Sequence, residues 1–286
     1  DVVRTTYWRL DEKPTRRLDE VTFFYGDEAS SWRVMRYDPV SELYQVVDAS
    51  PQPEPTLEDF ERMVVASEEG LAQYEPSPAL FADLLRAMDE FGDDGVPYGG
   101  GGVWLCIPRE AVWLEAVALR PDLVGRYLDV QAEQSVRNAR LAAQFGIVHL
   151  YGGGDFATAK GPLYSPRSFH ELMLPRLQRI SAVCDEIGSF HGFGSDGNLW
   201  SVAEDLFGAS GIRFFYELDV RAGMDMATLR RRFPHVALMG GISSETLHQG
   251  TLEDVVRETR EALEAAHEYG GCVVGCSNQI VAGTPM

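Results

Sequence analysis

From about residue 57 onward the sequence alternates stretches of helical periodicity with short apolar runs, and this alternation narrows the available folds more than any other feature. Helical patterning covers 57–72, 78–91, 109–119, 121–145, 166–187, 199–207, 225–233 and 251–269. The stretch 121–145 carries Leu128, Ala132, Val136, Ala139 and Ala143 at spacings of three and four and stops at Gly146. Ser165-Pro166 reads as an N-cap followed by proline at the first helical position. Thr251 with Asp254 reads as a capping box, and Pro175 should kink its helix. Between the helices lie apolar runs at 103–106, 147–151, 189–193, 212–216, 236–239 and 272–275. Runs of this kind, strung between helices, make a buried parallel sheet.

Two α/β folds meet that description, a doubly wound open sheet and a (β/α)8 TIM barrel. The run 147–151 leads into Gly152-Gly153-Gly154-Asp155, and 189–193 into Gly194-Ser195-Asp196-Gly197-Asn198. The run 212–216 ends at Glu217, 236–239 at Gly240-Gly241-Ile242-Ser243, and 272–275 at Cys276-Ser277-Asn278. Small, polar and acidic residues thus follow at least five successive strands, where barrel enzymes place their sites. An open sheet gathers them at one switch point. The barrel is therefore expected. Residues 1–56 read differently: alternation at 21–24 and 32–35 suggests small antiparallel strands, and Pro51, Pro53 and Pro55 mark a connector. The expected organisation is a β-rich N-terminal extension, 1–56, packed on a barrel, 57–286. Fewer than eight βα units are visible, so the barrel is expected to be irregular or to lack its first strand and last helix in this chain.

Composition excludes several functions. The chain has 44 acidic residues against 25 basic ones, a formal charge of −19, and its only lysines are Lys13 and Lys160. Such a surface repels nucleic acid, although a few converging arginines can still reverse the field inside one cleft. No apolar run is long enough for a membrane span and no secretory signal is visible, so a cytoplasmic enzyme of small molecules is expected. The four cysteines read as reduced thiols rather than a disulfide framework.

Asp155, Asp196 and Glu217 form the strongest catalytic set, because carboxylates at a strand-end rim must be solvated, paired, or placed to move a proton or hold a metal. His191 would join them if it faced the barrel axis. Cys272 and Cys276 would lie about 13 Å apart along a strand, too far for one zinc, which leaves Cys276 with Asp196 and Glu217 as the candidate metal ligands. Such an oxygen-rich set suits zinc or a harder divalent ion. Asn198, Ser277 and Asn278, with Gly241 and Ser243, are the candidate substrate-binding residues. The glycine clusters at 99–102 and 152–154 lack the spacing of phosphate loops.

At these residues the sequence resembles the uroporphyrinogen decarboxylase superfamily. The shared signatures are Asp155 followed by Gly161-Pro162-Leu163-Tyr164-Ser165-Pro166, Leu174-Pro175, Gly194-Ser195-Asp196-Gly197-Asn198-Leu199, Ala222-Gly223-Met224-Asp225, Gly240-Gly241-Ile242, Gly250-Thr251, and Ser277-Asn278 leading to Thr284-Pro285. The resemblance covers about residues 55–286. It implies a (β/α)8 barrel, a homodimer, and either porphyrinogen decarboxylation or corrinoid-linked methyl transfer. The decarboxylase branch carries a histidine near the last strand and an arginine-rich N-terminal motif. Here the first region reads Ser277-Asn278-Gln279, and no Arg-Gln-Ala-Gly-Arg motif occurs. The thiol-alkylating methyltransferases use a zinc site with a His-x-Cys pair and a later Cys, where this chain has His191-Gly192-Phe193 and Asn278. The resemblance and the acidic rim together predict methyl transfer between a small methylated substrate and a corrinoid (cobalamin) or similar acceptor, with a corrinoid protein as partner. Tetrapyrrole decarboxylation is the second reading and a non-catalytic ligand-binding barrel the third.

Overall fold

The computed structural model describes residues 2–4, 12–39, 43–51, 53–92, 96–100, 102–280 and 283–285, giving only the backbone course of 2–4, 43 and 96–100. Strand β1 (Val2–Arg4) precedes four short strands, β2 (Arg16–Arg17), β3 (Thr22–Gly26), β4 (Trp32–Asp38) and β5 (Leu43–Ala49). Helices α1 (Leu57–Ala72) and α2 (Ala82–Phe91) lead to β6 (Val96–Gly100), followed by α3 (Ala111–Leu119) and α4 (Pro121–Gln144). Then come β7 (His149–Gly153), the two-strand ribbon β8 (Ala157–Thr158) and β9 (Gly161–Pro162), α5 (Pro166–Ser168) and α6 (Leu174–Glu186). The chain continues through β10 (Phe190–Gly194), β11 (Phe214–Leu218), α7 (Met226–Arg232), β12 (Ala237–Ile242), α8 (Ser244–Gln249), α9 (Leu252–Tyr269) and β13 (Cys272–Cys276).

Seven strands pair in parallel in the order β1-β6-β7-β10-β11-β12-β13, while β2 to β5 form a separate antiparallel sheet. Strand β1 therefore belongs to the parallel sheet, and the antiparallel part of residues 1–56 is confined to β2 to β5. Among the described residues seven parallel strands follow one another as the expected (β/α)8 barrel requires, an irregular set short of eight, and no pairing joins β13 to β1 to close it. The run 103–106 is not a strand. Its backbone is claimed by side chains of α4 instead: the Trp104 and Cys106 amides donate to Ser135 and Gln131, and Asn138 donates to the Gly102 carbonyl. The strand falls a little earlier, at β6.

Register decides which residues face the helices. Leu150 lies beside His191, and Phe193 beside Phe215, which lies beside Leu238; Leu150, Phe193, Phe215 and Leu238 all enter the core beneath the helices. Tyr151, Phe214, Tyr216 and Met239 form a smaller cluster on the opposite face. Two glycines of β10 make room there. A Cβ at Gly192 would lie 2.1 Å from the Phe214 ring, and one at Gly194 would lie 2.2 Å from the Tyr216 ring.

The capping signals hold: Ser165 caps α5 with Pro166 behind it, and Thr251 and Asp254 form a reciprocal capping box on α9. Pro175 acts as a proline should, in an unexpected form. Having no N–H, it cannot serve the Glu171 carbonyl, and the preceding turn widens into a π-helical segment, Phe169–Met173. The Arg176 guanidinium donates to the carbonyls of this turn, Glu171 at 3.4 Å and Leu172 at 3.0 Å, and also reaches Gly125 and Asp129 on α4.

Candidate active site at the strand ends

Three consecutive strand ends bring their carboxylates together. Asp155 follows β7, Asp196 follows β10 and Asp219 follows β11. Asp155 Oδ1 accepts the Asp196 backbone N–H at 2.9 Å, while Asp155 Oδ2 lies 3.5 Å from Nη1 of Arg109. Asp219 accepts the backbone N–H of Gly197 with one oxygen and that of Ala222 with the other. Gly197 sits at φ +93° with its Cα pressed on Ala157, a conformation and an approach that only glycine allows. From the far end of the chain, Asn278 Nδ2 donates to Asp196 Oδ2 at 2.8 Å.

Burial raises the proton affinity of Asp196, and the neighbouring charges of Asp155 and Asp219 add to it. Its carboxyl is pushed up to about 6, against the Asn278 amide and Arg109, which favour the charged form. A partly buried carboxyl that exchanges a proton near neutral pH, held by an oriented amide, is equipped for general acid–base work. It opens onto a cavity of about 660 Å³, lined also by Asp219, Ser243, Ser277 and Asn278. Arg221 and Glu245 line the same cavity and pair with each other at 3.2 Å.

The other predicted residues fall elsewhere or serve the scaffold. His191 is a correction. It lies on the helix face of β10, fully buried, with Nδ1 2.7 Å from Ser181 Oγ of α6, so it does not face the cavity. Burial pushes its pKa down to about 4, leaving it neutral. Glu217 does not line the cavity. It occupies a bulge where the β11–β12 ladder skips from Phe215 to Leu218, and its φ of +67° is the left-handed conformation unusual for a non-glycine residue. Asn198 spends its side chain on the Ala222 carbonyl and the Trp200 amide. Gly241 faces helices α7 and α9, where a Cβ would come within 2.8 Å of Ala262 and 3.0 Å of Met226, so it is a packing position rather than a substrate contact. Cys276 Sγ meets Ser244 Oγ at 3.2 Å. Among the described residues no three His, Cys, Asp or Glu side chains converge to hold a metal, so Asp196, Glu217 and Cys276 are not assembled into the expected zinc or divalent-metal site.

Ser243, Ser277 and Asn278 do reach the cavity, but Ser243 also caps α8, accepting the Thr246 N–H. Three residues were missed in the sequence. Asp219 was hidden because β11 runs two residues further than its apolar run. Arg109 sits in the loop before α3, distant in sequence from its partner. Glu258, on α9, accepts the Ser243 N–H at 2.9 Å and the Thr246 hydroxyl at 2.7 Å, fixing the loop that carries Ser243.

With this geometry in view, the family profile described as Uroporphyrinogen decarboxylase (URO-D) matches residues 111–286, which include every cavity-lining residue named above. The chain belongs to this family. The uroporphyrinogen decarboxylase family match begins at α3 and leaves out the antiparallel sheet. Among solved structures, the chain is similar to a methyltransferase from Methanosarcina mazei, with TM-score 0.60 and 21% identity over 88% of this chain and 71% of that one. At that identity the likeness speaks for the fold. A xylose isomerase-like TIM barrel/4-hydroxyphenylpyruvate dioxygenase fusion protein matches at TM-score 0.32 and 12% identity over 81% of this chain and 38% of that one, too distant to carry an argument. Among curated proteins no match is found.

Proposed function

We propose that this uroporphyrinogen decarboxylase-family protein is a methyltransferase that moves a methyl group from a small neutral methylated donor to a corrinoid or similar acceptor. The observation that carries the reading is the Asp196 carboxyl, held near its proton-exchange point at the edge of a cavity whose charge is mainly acidic. Breaking a methyl–oxygen or methyl–nitrogen bond of a neutral donor, with the methyl passing to the acceptor, leaves negative charge on the heteroatom. Asp196 protonates that atom, so that the donor departs as a neutral alcohol or amine. Asn278 orients the carboxyl, and Asp155 anchors the turn that carries it. Ser243 and Ser277 offer hydrogen bonds to the donor's polar end. A cavity of 660 Å³ is of ordinary small-molecule size, so a corrinoid acceptor would be presented at its mouth. The barrel closure that the family implies would complete the wall between β13 and β1.

The reaction that gives the family its name asks for cations to hold several substrate carboxylates. Here Arg221 is paired with Glu245, Arg109 with Asp155 and Arg213 with Asp185, and the side chain of Arg4 lies outside the described residues. This charge arrangement favours methyl transfer. The test is to incubate the protein with a panel of methyl ethers and methylamines and chemically reduced cobalamin. Methylcob(III)alamin should appear in the visible spectrum with at least one donor. No spectral change across the panel, together with conversion of uroporphyrinogen III to coproporphyrinogen in an anaerobic assay, would overturn the reading in favour of decarboxylation.

A further inference from the structure

One ion pair in the cavity bridges the turn after β11 and the helix after β12. Arg221 carries the only positive charge among the described residues that line the cavity, where Asp196, Asp219 and Glu245 carry the negative ones. Its guanidinium meets the Glu245 carboxylate at 3.2 Å, with the two side chains 51% and 57% exposed. Pairs so open to water are weak when both arms start from loose chain. These two start from fixed backbone. Beside Arg221, Asp219 accepts the Ala222 N–H at 3.0 Å and Asn198 donates to the Ala222 carbonyl at 2.9 Å. Glu245 stands in α8 between Ser243 and Thr246, and Glu258 of α9 holds both, accepting the Ser243 N–H at 2.9 Å and the Thr246 hydroxyl at 2.7 Å.

We infer that Glu245 is a specificity-determining residue: by occupying Arg221 it denies the guanidinium to carboxylate-bearing ligands and keeps the cavity for neutral ones. The inference rests on the reading of this cavity as a methyl-donor site and names the residue that sets the donor's charge. An unpaired guanidinium in a cavity that also offers Ser244, Ser277 and Asn278 would be an anion site, since its forked donors match a carboxylate with two parallel hydrogen bonds. With Glu245 in place, an entering anion must displace a carboxylate already attached to the wall. It also faces the like charges of Asp196 and Asp219 with no free countercharge among the described lining residues. A neutral ether meets neither obstacle.

The experiment is a pair of NMR titrations of the whole chain, following the backbone amides of Ser243, Ser277 and Gln279 as methoxyacetate or its neutral counterpart methoxyethanol is added. Glu245→Gln should bind methoxyacetate about tenfold or more tighter than wild type, and the gain should shrink as salt is raised. Adding Arg221→Gln to that variant should abolish the gain, whereas a gain that came from loosening α8 would survive it. Glu245→Ala should give the same gain, so the result does not hang on the folding of one variant. Methoxyacetate binding no tighter in either Glu245 variant than in wild type, or a gain that survives Arg221→Gln, would overturn the inference. Absence of methoxyethanol binding in every form would strike the methyl-donor reading instead, and the methoxyacetate comparison would still decide the role of Glu245.

Discussion

Asn278 and Asp196 meet at 2.8 Å across 82 residues of chain, with the amide nitrogen donating to the carboxylate Oδ2. The contact ties the segment after β13 to the turn after β10 and makes Asp196 responsive to a residue outside its own βα unit. Removing the donor takes away a bond that favours the charged form. In Asn278→Ala the Asp196 carboxyl should titrate above its present value of about 6, visible as a shifted midpoint in a carboxyl carbon NMR titration.

Asp196 should also tilt the pH dependence of stability. Its folded pKa, about 6, exceeds the ordinary 3.8, so between those values the folded chain binds more proton than the unfolded one. Stability from this group is present at low pH and lost as pH rises through the window. The residue keeps some solvent contact, so the loss at neutral pH is about 1–2 kcal/mol after screening. Asp196→Asn should raise stability at pH 7 by roughly that amount and flatten the slope from pH 4 to 6, measured by urea unfolding.

His191 should act with the opposite sign. Its folded pKa, about 4, lies below the ordinary 6.5, so the unfolded chain takes up the proton first. Stability is complete above the ordinary value and falls as pH drops toward 4. Because the imidazole faces α6 rather than the cavity, His191→Gln should lessen acid sensitivity in thermal melts and leave methyl-transfer turnover within about twofold of wild type. A loss of turnover at unchanged stability would return His191 to the site.

Arg176 stands in for the amide that Pro175 lacks. Arg176→Met should remove the guanidinium bonds to the Glu171 and Leu172 carbonyls and cost about 1–3 kcal/mol in urea unfolding. The double change with Pro175→Ala should recover part of it, because the turn can then make its own hydrogen bond.

The sequence carried the alternation of helices and strands well because both elements bury one face, and burial writes a period into the chain. The strand ends were misread in a consistent direction. Ile147, Ile212 and Val236 precede their strands yet are buried in the core. Counting them as strand shifted the rim early, so that Glu217 was chosen and Asp219 overlooked. Alternation could place His191 and Phe193 on one face but not say which face met the helices; that depends on neighbours in the sheet. Arg109, Asn278 and Glu258 act over separations of 46, 82 and 15 residues, which no local pattern records. The run 103–106 looked like a strand because four apolar residues stand in a row, yet Ser135, Gln131 and Asn138 of α4 supply the bonds that a neighbouring strand would.

The central claim, that Asp196 delivers the proton that releases the methyl donor, is tested most directly by the pH dependence of single-turnover methyl transfer to reduced cobalamin, followed in the visible spectrum for wild type and Asp196→Asn. The wild-type rate should fall as pH rises through about 6, and Asp196→Asn should lose about 100-fold or more and that pH dependence with it. A variant that turns over at the wild-type rate, or keeps the wild-type pH profile, would contradict the account.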